Sequence, residues 1–247
     1  MSACDALYHT ASFHPPPARK DAVPQVAAAD EPQRVGDPAS LIDHSRPPIG
    51  LTDAMLRPLA NPRPTGGDLT DAQAVLDEVA STSPESDSYR DEILAFTRLH
   101  ADALHRSCLT GHLTGSALVV DDDRERTLLM LHAKLGLWLQ PGGHADGEGH
   151  LATVALTEAT EETGIDGLTV LGPAVDCDIH QIPERKGEPA HLHLDTRFVV
   201  LAPPGAVAQG NHESHALRWV TLDELDELAG DESLRRLARV GLTAARS

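Results

Sequence analysis

Three glutamates, Glu158, Glu161 and Glu162, crowd the stretch PGGHADGEGHLATVALTEATEETGI at residues 141–165, behind a glycine pair at Gly142 and Gly143. Counted at 100° per residue from Leu151, Glu161, Glu158 and Glu162 fall near about 280°, 340° and 20°, an arc of roughly 100° on one helix side. Like charges spaced i, i+3 and i+4 destabilise a helix by about 0.2–0.5 kcal/mol per pair. No Lys or Arg occurs between Lys134 and Arg185, so the local counter-charge is missing. The face is either simply solvated or neutralised by a divalent cation. Oxygen-only ligands favour Mg²⁺ or Mn²⁺ over zinc. The glycine turn lets the backbone bend sharply enough for a carbonyl to join the metal shell. Gly164 is placed to cap the helix at its C-terminal end.

A second chemically rich stretch is HLHLDTRF, residues 191–198. In a strand, His191, His193, Asp195 and Arg197 share one face, and Leu192, Leu194 and Phe198 share the other. Three readings stay open: a solvent-facing strand, the wall of a substrate pocket, or a separate His/His/Asp metal site. Arg197 is suited to meet a phosphate bidentately. His144 either contacts substrate or is an exposed turn histidine. Trp138 is a base-stacking candidate that fits equally as core packing beside the turn. HRSC, residues 105–108, places Cys and His together at a helix-to-strand junction and is read as structural.

The elements that must position these groups can be read from periodicity. Residues 1–66 are rich in Pro, Ala and Asp, are broken by HPPPARK, RPPIG and NPRPTGG, and read as a disordered tail with short helical pieces at SLIDH and LTDAMLRPLA. Residues 67–108 carry two helical patterns, the first with Thr70 as its expected N-cap, and should form a hairpin on the following domain. Residues 109–247 alternate strands with helices. The strands are LTGSALVV, TLLMLHA, LTVLGPAVDCDIHQI, HLHLDTRFVVLA and ALRWVTL; LDELDELA and ESLRRLARVGL are closing helices. The expected fold is an α/β/α sandwich with a mixed sheet.

Composition limits the partners. The 247 residues carry a formal net charge of −18. Such a chain is a poor partner for a nucleic-acid polymer or an anionic membrane, yet can hold a phosphorylated small molecule through a metal ion. Cys4, Cys108 and Cys177 are far apart with no CxxC spacing, which fits a reducing cytoplasm rather than a disulfide framework. No run of eighteen apolar residues is present, and the N-terminal residues do not read as a secretory signal.

The segment at 143–165 resembles the Nudix box: Gly, five residues, Glu, seven residues, then Arg-Glu-apolar-x-Glu-Glu-x-Gly-apolar. Gly143, Glu158, Glu161, Glu162, Gly164 and Ile165 match, and the resemblance extends over about residues 111 to 229. It implies Mg²⁺-dependent (or Mn²⁺-dependent) cleavage of a diphosphate bond in a nucleoside diphosphate linked to another group. Glu158, Glu162 and the Gly143 carbonyl would be the metal ligands. Glu161 is the first candidate for accepting the proton of the attacking water. Glu213, six residues before Trp219, is the second. His144, His191, His193 and Arg197 are the candidates for binding substrate.

Two positions depart from the box. Thr157 stands where the family has arginine, and Gly149 where it has its first glutamate, with Glu148 one residue early. These departures keep open a Nudix-like nucleotide-binding or regulatory module without turnover. A diphosphate isomerase would need a cysteine near the site, for which Cys108 and Cys177 are unpromising. Restoring the arginine tests the helix angles: Thr157→Arg should fold with stability within about 0.5 kcal/mol of the parent, as expected for an exposed site. Activity should be unchanged or higher, and a collapse of the thermal midpoint would show the angles to be wrong.

Overall fold

The computed structural model describes residues 56–59, 66–185, 187–228 and 231–247. The expected tail lies outside these residues except at its end. There Arg57–Pro58 forms a short edge strand, β1, rather than part of a helix. An edge suits Pro58, which has no N–H to give to a ladder. Two helices follow, α1 (Leu69–Asp77) and α2 (Pro84–Leu99). The N-cap of α1 is Asp68, not Thr70: its carboxylate accepts from the Thr70 and Asp71 N–H groups, while Asp71 accepts from the Asp68 N–H. Asp at both ends of this reciprocal cap satisfies more orphan donors than a Thr two residues later.

The sheet is mixed. Strands β2 (Gly111–Val120), β3 (Thr127–His132), β4 (Trp138–Leu139) and β5 (Gly142–His144) precede helix α3 (Leu151–Thr163). After it come β6 (Thr169–Gly172), β7 (Asp176–Ile182), β8 (His191–Leu201), β9 (Ser214–Val220), α4 (Leu222–Leu228) and α5 (Glu232–Arg246). The order is β1-β6-β8-β2-β3-β4, with β5 added to β2, β7 to β8 and β9 to β3. β2 and β8 pair in parallel, and the other pairs are antiparallel. The stretch 168–182 was expected as one strand. It divides at Pro173, which cannot donate, into β6 and β7, both running along β8.

Helices cover both sheet faces, as a sandwich requires. Odd residues of β2 (Leu113, Ala117, Val119) and even residues of β8 (Leu194, Phe198, Val200) face α1, α2 and α3. Leu118 and Val120 with Val199 face α5, through Leu234, Leu237, Ala238 and Leu242. Among the described residues no helix is long and apolar enough to cross a membrane.

Arg197 departs from its expected role as a phosphate contact. It lies on the α5 face, 3% exposed, with its guanidinium on Asp195 (2.8 Å), Asp176 (3.1 Å) and Asp178 (3.1 Å) and on the Ser233 hydroxyl (2.7 Å). Arg236 of α5 joins Asp176 and Asp178 from the other side. Asp195 also accepts from Thr114 and Ser116 of β2. Burial disfavours the Arg197 charge, but Asp195, Asp178 and Asp176 outweigh it and raise its pKa further above the ordinary arginine value. Three acidic positions on two strands explain why an arginine belongs inside the sandwich, and they leave it no donor directed at a substrate. Asp195 is engaged in the same way, which removes it from the His/His/Asp metal reading. Taking away one partner of a buried ion network exposes the others to uncompensated burial, at about 3–5 kcal/mol. Arg197→Met should therefore lower unfolding stability by that amount in urea titrations; a loss below about 1 kcal/mol would contradict this account.

Candidate functional site

Helix α3 approaches the sheet where the sheet has no side chains. A Cβ on Gly115 of β2 would sit 2.8 Å from the Leu151 carbonyl oxygen and 3.1 Å from the Val154 Cβ. A Cβ on Gly143 of β5 would fall on the Glu158 carboxyl group itself. Only glycine permits this approach. It places the Glu158 carboxylate against the backbone of the glycine turn, and the Glu162 carboxylate accepts from the Gly142 N–H at 3.0 Å. Gly164 ends the helix in the left-handed region, φ 64°, as its sequence position suggests.

The three glutamates are not equivalent. Glu162 is 4% exposed, Glu158 is half-buried and Glu161 is exposed. Burial pushes the Glu162 carboxyl up to about 8; the Gly142 N–H opposes this, and the charges of Glu158 and Glu213 add to it. Burial also raises Glu158, helped by Glu161 and Glu213, while Arg106 pulls it down. Arg106 is itself paired with Asp146 at 2.7 Å. Glu213 comes from the loop before β9. That loop is tied to the end of α3 by the Gln209 N–H on the Thr163 carbonyl (2.9 Å) and by Asn211, whose side chain bonds the Glu161 carbonyl (3.1 Å) and the Glu213 N–H (2.8 Å). The result is a set of oxygen donors whose combined negative charge resists ionisation. That is the donor chemistry that suits a hard divalent cation.

The two departures from the box have different settings. A side chain at Gly149 would collide with the Asp68 carbonyl, because the loop before α3 is pinned under the start of α1. Glu148 accepts there from the Gly66, Gly67 and His150 N–H groups, and the Gly149 N–H donates to the Gly67 carbonyl. Glu148 is thus a clamp for the helical hairpin. Thr157 is exposed on α3, where a longer side chain has room.

The expected substrate histidines lie on the sheet face that carries Arg197. His144 and His193 meet at 3.1 Å between their Nε2 atoms, and both line a cleft of about 310 Å³ together with Arg106, His112, Arg185 and His191. Burial pushes His193 down to about 2, with the neighbouring histidine charges adding to the effect. His144 goes down to about 4, chiefly by burial and then by Arg106. His112 was not singled out in the sequence. The signal was available in the alternation of β2, where His112, Thr114 and Ser116 are polar and Leu113 and Ala117 between them are not.

The family model for the NUDIX domain matches residues 111–239. The chain belongs to the Nudix family. Among solved structures, a C. elegans Ap4A hydrolase binary complex aligns at 19% identity over 54% of this chain and 96% of that one, with a TM-score of 0.44. A NUDIX-family hydrolase from Clostridium perfringens aligns at 22% identity, covering 54% and 97%, TM-score 0.41. The NUDIX domain of Shewanella oneidensis NrtR in complex with ADP ribose aligns at 17%, covering 54% and 86%, TM-score 0.39. The search of curated proteins gives no match.

The Nudix carboxylates carry a pH signature. A carboxyl whose pKa is raised on folding contributes stability at pH below its unfolded value, and loses it as pH rises through the folded value. In chelator, the thermal midpoint should fall as pH climbs from about 5 to about 8, the window set by Glu162. Mg²⁺ should offset the fall, and Glu162→Gln should flatten it. An equal slope in the variant would remove Glu162 as the cause.

Proposed function

We propose that this Nudix protein hydrolyses the diphosphate bond of a nucleoside diphosphate-linked small molecule with Mg²⁺ or Mn²⁺ as cofactor. The observation that carries this reading is the seating of Glu158 on Gly143 and of Glu162 on the Gly142 N–H, side by side and short of positive charge. Glu158, Glu162 and the Gly143 carbonyl are the groups that would hold the cation. When bound, it would supply Lewis acidity, offset substrate charge and lower the pKa of a water. The chain must then provide a proton acceptor. Glu213 is favoured over Glu161, because its charge acts directly on Glu162 while the Glu161 side chain is exposed. The histidine cleft, with His144, His191 and His193 on its walls, is the space for the rest of the substrate. Residues 109–247 carry the chemistry in this reading, and residues 67–108 clamp the loop before α3. The reducing cytoplasm is the proposed setting.

A second reading, a binding or regulatory module, is favoured by Gly149, where packing against Asp68 excludes the glutamate of the family pattern. Phosphate release from nucleoside triphosphates, nucleotide sugars, ADP-ribose, dinucleotides and coenzyme A, with and without Mg²⁺, separates the two. Hydrolysis of at least one compound, lowered by about 100-fold or more in a folded Glu162→Gln variant, is expected for the enzyme. Tight nucleotide binding with no turnover across the panel would establish the module instead.

A further inference from the structure

We infer that His112, His144 and His193 form a second metal site, for a zinc-type transition ion, on the sheet face opposite α3. The sheet builds it by register. His112 of β2 lies directly beside His193 of β8, and His144 of β5 pairs two residues along β2, opposite Thr114. One ring nitrogen from each of the three lies within 4.8 Å of the others. The His144 and His193 Nε2 atoms are 3.1 Å apart, close to the roughly 3.3 Å separation that two imidazoles bound tetrahedrally to zinc would show.

An independent observation comes from His112. It is 4% exposed, and neither Nδ1 nor Nε2 has a hydrogen-bond partner. The Cys108 backbone acts on the ring without meeting hydrogen-bond geometry. Buried imidazole nitrogens without partners have lost their hydration with nothing in exchange. A coordinated ion relieves one of them, and the cleft beside the cluster leaves room for a fourth, exchangeable ligand.

The cluster differs in chemistry from the Nudix carboxylates. Neutral imidazole favours Zn²⁺, Co²⁺ or Ni²⁺, whereas carboxylates favour Mg²⁺ and Mn²⁺. The two sites are therefore selective for different ions, and loading one does not require the other. The cluster stands apart from Asp195, which Arg197, Thr114 and Ser116 occupy.

Titration of the untagged full chain with Co²⁺, followed by its visible d–d absorption, tests the assignment. One equivalent should give the intense band of a four- or five-coordinate ion, and Zn²⁺ should bleach it. The band should persist in Glu162→Gln and be lost in His112→Phe and His193→Phe, each checked for folding by circular dichroism. X-ray absorption of the Zn²⁺-loaded parent, which needs no variant, should show three imidazoles around the metal. A weak six-coordinate band alone, a band that survives in folded histidine variants, or an oxygen-only metal shell would overturn the inference.

Discussion

The site depends on how closely α3 can approach the sheet. Gly115 and Gly143 remove the side chains that would hold the helix away, and the helix settles with Leu151 and Val154 against β2. That contact brings Glu158 onto the glycine turn and buries Glu162 at the Gly142 N–H. A carboxylate in such a place has lost most of its water, and one N–H does not replace it. The packing that stabilises the sandwich therefore concentrates negative charge at one point. A divalent cation is the simplest means of relieving it.

The two faces of the sheet treat buried charge differently. On the α5 face, Asp176, Asp178 and Asp195 are matched by Arg197 and Arg236, so the charges are balanced within the chain and the cluster is structural. At α3 burial and then the charges of Glu158 and Glu213 raise Glu162, burial and then Glu161 and Glu213 raise Glu158, and the cation that acts on Glu158, Arg106, is already paired with Asp146. Satisfied ion networks point to folding, and unsatisfied ones to ligand chemistry. The contrast explains why Arg197, attractive in the sequence as a phosphate contact, belongs to the first kind.

The sequence made the fold class legible because period and punctuation agreed: alternating strands, the 3.6-residue spacing of α1 to α3, and Gly164 at a helix end. The box glutamates were legible because their spacing is fixed within one helix. What was hidden depends on strand pairing. Nothing local to HLHLDTRF tells which neighbours Asp195 and Arg197 will meet, since Asp176 and Asp178 arrive from another strand and Arg236 from α5. The alternation of β2 marks His112 as a polar position, but its meeting with His144 and His193 depends on β2 lying beside β8 and β5. The setting of Gly149 was hidden too: it packs under Asp68 in a loop pinned by the preceding hairpin, which excludes a side chain there.

The central claim is that Glu158 and Glu162 share a divalent ion above the glycine turn. An anomalous difference map from crystals soaked with Mn²⁺ and a non-hydrolysable dinucleotide addresses it directly. The account predicts a peak between the two carboxylates, beside Gly143 and in contact with a phosphate oxygen. A map with no peak there, with Mn²⁺ found only elsewhere on this acidic surface, would contradict it.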